Sequence, residues 1–350
     1  MRKTAAKLLT AAALATSLVT IASGTALADP TVVPATADIV GVGSDTTQTI
    51  LNQFSTDYNA YLTGLGDTTS PRLYSFDATG SATITAKAGT TAFNRPNGSG
   101  AGITALNQTS PSVLPIDFAR SSRAPQTGDL TTDIFVGFAK DAVTWSAKST
   151  GSNAPANLTT ADLKGIYSGT ITTWNQITDI PGYTGPNVAI KAFLPQASSG
   201  TRSFFLKAIG VTTVGATVIT GPEENEGTDL ALNDVNTIFP YSVGHYIGQV
   251  YGGHTTATDA AGVLSLRNVN GVAPVTAGNT INPAFANPTY GRVLYNVVRN
   301  AEWTAATVKG TALRNIFGTS GWICTNGAAD ITSYGFLVLP GAGCGATTHI

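Results

Sequence analysis

Three times along this chain, a short loop of glycine and hydroxyl residues runs into a segment whose apolar side chains recur at helical spacing. The clearest case is Gln196 to Gly210. Here Ser198-Ser199-Gly200-Thr201-Arg202 leads into Phe204, Phe205, Ala208 and Ile209 on one face, and Gly210 stands where a helix would stop. The second is Gly41-Val42-Gly43-Ser44-Asp45-Thr46-Thr47, entered from the short strand Ile39-Val40 and followed by Ile50, Leu51, Phe54, Tyr58 and Leu62. The third is Asn97-Gly98-Ser99-Gly100-Ala101-Gly102, ahead of Ile103 and Leu106.

Between these units the pattern changes to strand-like alternation or short apolar runs. Leu73 to Phe76 reads as a strand, and Val113 to Phe118 as another that ends in Ala119-Arg120-Ser121-Ser122-Arg123. Ile134 to Ala139 and Ala142 to Trp145 look like two consecutive buried strands, with a crossing between domains nearby. Thr159, with Asp162 in the following turn, caps a helix, and Val188 to Phe193 is a strand that delivers the chain to the loop at 196. Later come Tyr241 to Gly248, a long turn-rich connection from Asn268 to Pro288, a strand at Val293 to Val298, a helix at Thr311 to Phe317 and a last strand at Phe336 to Leu339. Strands alternate with helices, which predicts an α/β fold with mostly parallel sheets, and 350 residues predict two domains.

Composition narrows the setting. Charged residues are only 11% of the chain, against 38 glycines and many hydroxyl residues, as suits an exported surface. Residues 1 to 28 read as a signal peptide. Arg2, Lys3 and Lys7 form a basic start, Leu8 to Ile21 an apolar run, and Ala26-Leu27-Ala28 a small-residue cleavage site, so the mature chain is expected from about Asp29. Losing those three basic residues takes the net charge from −1 to −4. With no basic field, nucleic acid is not an expected partner, and an anion must be held by local groups. Cys324 and Cys344 both fall in the exported part, where a disulfide is the expected state. No cysteine near the cleavage site offers a lipoprotein anchor, and no later apolar run would span a bilayer. The expectation is a secreted or periplasmic monomer without membrane insertion.

The chemistry of the three loops is that of anion traps. The first N–H groups of a helix have no acceptor within it, and the helix dipole places about half a positive charge there. Ser44, Asp45, Thr46, Ser99, Ser199, Gly200 and Thr201 are the candidate contacts. Arg120, Ser122, Arg123 and Arg202 add hydroxyl and guanidinium donors suited to an oxyanion. Neither a dinucleotide loop nor a Walker loop is present, because Thr46 stands in place of the third glycine and no lysine follows. Glu223, Glu224, Glu226 and Asp229 lack calcium-loop spacing and read as a solvated loop, and three scattered histidines offer no metal site. No cofactor is expected.

The order of these loops resembles that of the phosphate-binding proteins of ABC importers. Gly41-Val42-Gly43-Ser44 comes first, Gly98-Ser99-Gly100 second, Asp117-Phe118-Ala119 to Ala124-Pro125 third and Ser198-Ser199-Gly200-Thr201 fourth. The segment Leu163, Ile166, Tyr167, Gly169, Ile171 and Trp174 is similar to that family's Leu-x-x-Ile-Tyr-x-Gly-x-Ile-x-x-Trp. The resemblance implies a two-lobe, type II periplasmic binding protein-like fold, with two crossing strands at a hinge and the ligand enclosed between the lobes. It assigns residues 38–140 and 260–350 to one lobe and 141–259 to the other, with an ABC permease as partner. Two positions depart from the family. Arg123 stands where the family has an aspartate that accepts the ligand's proton. Pro195 and Ala197 replace an arginine and an aspartate ahead of Ser-Gly-Thr. The first change removes a selection rule against fully deprotonated oxyanions, and Arg120, Arg123 and Arg202 are expected to replace the missing cation.

The leading expectation is a secreted protein that captures a small oxyanion, inorganic phosphate first, for uptake, and that is not an enzyme. An extracellular binding-fold protein without a transport role is the second reading. A serine-dependent phosphate-ester hydrolase is the third, with His245, His254 and His349 the only bases and no Gly-x-Ser-x-Gly elbow.

Overall fold

The computed structural model describes residues 29–108 and 115–349. The expected leader at 1–28 and the strand start at Val113-Leu114 lie outside the described residues. Among those described, no helix is long and apolar enough to cross a membrane.

Among the described residues, eleven strands form one continuous sheet. Its backbone is β1 (Ile39–Gly43), β2 (Leu73–Ser75), β3 (Phe118–Ser121), β4 (Asp133–Lys148), β5 (Lys191–Leu194), β6 (Ile219–Thr220), β7 (Thr237–Ser242) and β8 (Gly291–Arg299), in the order β2-β1-β3-β8-β4-β7-β5-β6. Pairing is parallel on both wings and antiparallel around β4 and β8 in the middle. The architecture is mixed α/β, as the alternation of elements predicts.

The middle of the sheet corrects one expectation. Instead of two short strands, β4 is a single strand of 16 residues. The polar pair Lys140-Asp141 that seemed to divide it is carried inside the sheet, and Asp141 is fully buried opposite Arg292 of β8. The first part of β4 pairs with β8, and the second, from Val143 to Ala147, pairs with β7. One strand thus runs through both halves of the molecule. At the changeover the Val143 amide donates to the Tyr290 carbonyl at 2.9 Å, joining the two crossing points of the chain.

Each half has its own core. In the first, helix α1 (Gln48–Gly64) buries Ile50, Leu51, Phe54, Tyr58 and Leu62, and helix α6 (Val308–Phe317) adds Leu313, Ile316 and Phe317. Helix α2 (Ser99–Asn107) covers the opposite face with Ile103 and Leu106. The second core gathers helix α3 (Thr160–Ser168), helix α4 (Gly200–Ala208) and helix α5 (Val243–Val250) around Trp145, Trp174 and Phe205. Val269, Ile281, Phe285 and Tyr290 also pack into this second core. The chain therefore changes core near residue 290, whereas the sequence reading drew the boundary at 259.

The segment that carried the family resemblance is a packing element. Thr159 and Asp162 form a reciprocal capping box on α3, and Gly169 ends the helix with φ +81°. Tyr167 then meets Phe205 edge-on, with ring centroids 5.0 Å apart, and donates to the Phe193 carbonyl at 3.1 Å. These contacts fix both β5 and α4, and so set the position of the helix start at Ser199. Truncating a buried ring such as Phe205 typically costs about 3–5 kcal/mol.

The expected disulfide is present, joining Cys324 and Cys344. It closes a loop of sequence separation 20 and ties the short helix Trp322–Asn326 to the last turn of the chain. Replacing both cysteines by serine should lower the unfolding free energy by about 3 kcal/mol, measured by urea denaturation. An unchanged midpoint and slope would show that the bridge constrains little.

Candidate functional site

The glycine and hydroxyl loops come together where the two cores face each other. Gly98, at φ +94°, precedes α2, and a Cβ built on it would lie 2.5 Å from the Ser198 carbonyl oxygen. The Gly100 amide donates to that same oxygen at 3.0 Å. Two helix starts, one from each core, therefore touch backbone to backbone. Gly200 is equally constrained, since a Cβ there would fall 2.3 Å from Ser122 Oγ and 2.4 Å from Ser99 Oγ.

Around this contact the buried hydroxyls form a connected set. Ser99 Oγ accepts from the Ser122 amide at 3.0 Å and lies 3.3 Å from Ser122 Oγ. Thr46 Oγ1 is 3.3 Å from Thr201 Oγ1, which bridges the first core to the start of α4. Ser199 caps α4 by accepting from the Arg202 amide at 3.0 Å. Ser44 is fully buried, and its hydroxyl has no hydrogen-bond partner. Asp45 is also buried and accepts from Asn225 Nδ2 at 2.9 Å. Its pKa is raised well above the ordinary carboxylate value, first by burial and then by Asp259, with His245 opposing.

The arginines are placed differently from the sequence expectation. Arg120 is fully buried, and its guanidinium donates to Ser75 Oγ and to the carbonyls of Phe76, Ser44 and Gly43 at 2.6–3.4 Å. It braces the first loop from behind. Burial lowers its pKa to about 10, with Asp77 and Asp45 acting in the other direction. Arg123 is paired with both oxygens of Asp129, at 2.6 and 2.8 Å, and Arg202 turns back to the Pro195 carbonyl and Thr220 Oγ1, each at 2.9 Å. The cation that enters the loop cluster is Arg292. Its Nη2 donates to Thr201 Oγ1 at 3.0 Å, its side chain is held by Asp141 at 2.8–2.9 Å, and its Nη1 is buried without a partner.

A carboxylate joins the cluster as well. Glu224, read from sequence as part of a solvated loop, is only 1% exposed. Its Oε1 accepts from Thr46 Oγ1 at 2.6 Å and from the Thr201 amide at 3.2 Å. Neither Arg292 nor Glu224 was identified from sequence. The available signal for Arg292 was a lone charge at the head of an apolar strand, matched by Asp141 inside another. Nothing distinguished Glu224 from its acidic neighbours.

Beside these groups, His245 is buried with both ring nitrogens engaged, Nε2 with Asp259 Oδ1 at 2.6 Å and Nδ1 with the Thr46 carbonyl at 3.0 Å. That arrangement anchors a loop and leaves no ring nitrogen facing a serine as a base. Among the described residues, no group of three or more His, Cys, Asp or Glu could hold a metal ion. The cluster can present hydroxyl, amide and guanidinium donors to a small anion.

A family model described as a PBP superfamily domain matches residues 28–310. Among solved structures, the chain is similar to an ABC-type phosphate transport receptor from Vibrio cholerae, with 19% identity and TM-score 0.55 over 86% of this chain and 100% of that one. It is also similar to a putative phosphate ABC transporter substrate-binding protein with bound phosphate from Clostridium perfringens, with 15% identity and TM-score 0.57 over 86% and 99% of the two chains. At such identities the likeness concerns the fold. Among curated protein sequences, none matches.

The His245 environment yields a pH signature. Burial lowers its pKa, but Asp259, and then Asp45 and the Thr46 carbonyl, outweigh that effect and raise it from 6.5 to about 10. Stabilisation from the charged imidazole is therefore complete below pH 6.5 and is lost as pH rises through about 10. Thermal melts across that window should fall in the wild type and fall less in His245→Gln. Parallel curves would show that this pair does not couple to folding.

Proposed function

The chain belongs to the PBP superfamily, and we propose that it is an exported solute-binding protein. In this reading it takes up a small oxyanion, inorganic phosphate first, between its two cores and delivers it to an ABC permease. The observation that carries this reading is the meeting of four turns remote in sequence, at Thr46, Ser99, Ser122 and Thr201, around one buried set of donors. The Thr201 amide lies in the first turn of α4, where the helix itself has no acceptor for it. Arg292 supplies the fixed positive charge that Arg120, Arg123 and Arg202 direct elsewhere.

The magnitudes are sufficient. Hydrogen bonds to a charged group contribute about 1.5–3 kcal/mol each, and a micromolar complex needs about −8 kcal/mol. Several such donors in a closed cleft would reach that figure with no excess of basic residues, in keeping with a mature chain of net charge −4.

Phosphate should raise the melting temperature of the mature protein and give a saturable heat in titration calorimetry. Thr201→Val keeps the shape of the side chain and removes its hydroxyl, so it should weaken binding about tenfold or more, as expected for the loss of about 1.4 kcal/mol. Absence of heat with phosphate, sulfate and phosphate esters alike would contradict the reading.

A further inference from the structure

The donors assigned above to an oxyanion are already engaged by an anion of the protein's own. Glu224 Oε1 accepts hydrogen bonds from the Thr46 hydroxyl of the first core and from the Thr201 amide of the second, two groups 155 positions apart in sequence. Its second oxygen, Oε2, is buried and has no partner, as is Arg292 Nη1. The carboxylate thus meets part of the site's hydrogen-bonding capacity and leaves the rest unmet. A tetrahedral oxyanion has more oxygens to offer the same donors.

The segment that carries Glu224 is fastened across the cleft. The Glu224 amide donates to Gln196 Oε1 at 3.0 Å, Gln196 Nε2 donates to Asn97 Oδ1 at 2.6 Å, and Asn97 Nδ2 donates to Glu223 Oε2 at 2.8 Å. Asn225 holds a left-handed backbone, φ +61°, while its side chain reaches Asp45 and Thr46. The acidic segment therefore contacts both cores. The Thr46 hydroxyl and the Thr201 amide each have one proton to give, and both are directed at Glu224 Oε1. An oxyanion that uses them must therefore take them from the carboxylate, and one with no proton of its own would also be repelled by it.

We propose that Glu224 is an intramolecular competitor for the oxyanion site. It occupies the Thr46 and Thr201 donors and must withdraw before the ligand takes its place. This rests on the reading of the cleft as an oxyanion site, and it adds a built-in brake on affinity. A ligand must both bind and displace a tethered rival, so the measured affinity is reduced by the fraction of molecules that are self-occupied.

The test compares the wild-type mature chain with Glu224→Gln and Glu224→Ala. Inorganic phosphate and sulfate are titrated by calorimetry, and exchange of the Thr201 amide is followed by NMR without ligand. Glu224→Gln, close in shape to the native residue, guards against an effect of misfolding. The proposal expects Glu224→Ala to bind phosphate at least tenfold more tightly than wild type, with Glu224→Gln, which keeps an acceptor oxygen but loses the charge, between the two. It also expects Thr201 to exchange at least tenfold faster in Glu224→Ala and to regain protection when phosphate is added. Equal or weaker phosphate binding by the variants would overturn the competitor while leaving the oxyanion site standing. A loss of phosphate with a gain of sulfate would overturn it too, making Glu224 an acceptor for a protonated ligand. If no protein binds either anion, the exchange rate decides. Faster exchange at Thr201 in Glu224→Ala retains the self-occupied cleft and rejects the oxyanion reading, and unchanged exchange rejects both.

Discussion

The buried ion pair between Asp141 and Arg292 is the constraint on which the rest of this structure depends. Asp141 sits where β4 passes from one core to the other, and Arg292 lies directly opposite on β8, with both side chains almost wholly excluded from solvent. The carboxylate also accepts from Ser242 Oγ at 2.8 Å and from the Gly244 amide at 2.9 Å at the start of α5. One residue thus joins both crossing points of the chain to a helix of the second core. Breaking such a pair from one side strands a buried charge, at a typical cost of about 3–5 kcal/mol. The same pair holds Arg292 so that its Nη2 reaches Thr201 Oγ1, and the interaction that joins the two crossing points also brings a cation to the loop cluster.

In the proposed oxyanion site, direction matters more than net charge. Asp45, Asp141, Glu224 and Asp259 all lie within its buried network, against Arg292 and the raised pKa of His245. The proposed anion would be favoured only at the few points where a helix-start amide, a hydroxyl and a guanidinium converge. Gly98 and Gly200 make that convergence possible, because any side chain at either position would force apart the two helix starts that meet there.

Much of the architecture was readable from periodicity, because helices such as α1 bury one face and carry the corresponding apolar pattern. The loop positions were also legible, since glycine and hydroxyl residues ahead of an apolar helix mark an exposed helix start. What escaped was the partnering of charges. Sequence shows that Arg120, Arg123 and Arg202 are near the loops, but not that their donors are consumed by Phe76, Asp129 and Pro195. Asp141 looked like part of a break between two strands because its partner lies 151 residues away. Glu224 looked solvated because acidic clusters usually are, and its burial depends on contacts from both cores. The placement of residues 264–290 had the same cause, since membership of a core is a tertiary property that a turn-rich segment does not announce.

The central claim is that the donors of Thr46 and Thr201, now turned towards Glu224, form a binding place for an external oxyanion. A crystal structure of the mature protein grown at saturating phosphate tests this most directly. The account predicts a tetrahedral anion within hydrogen-bond distance of the Thr201 amide, Thr46 Oγ1 and Arg292, with the Glu224 carboxylate withdrawn from both. A closed cleft that keeps Glu224 on those donors and holds no anion at saturating phosphate would contradict it.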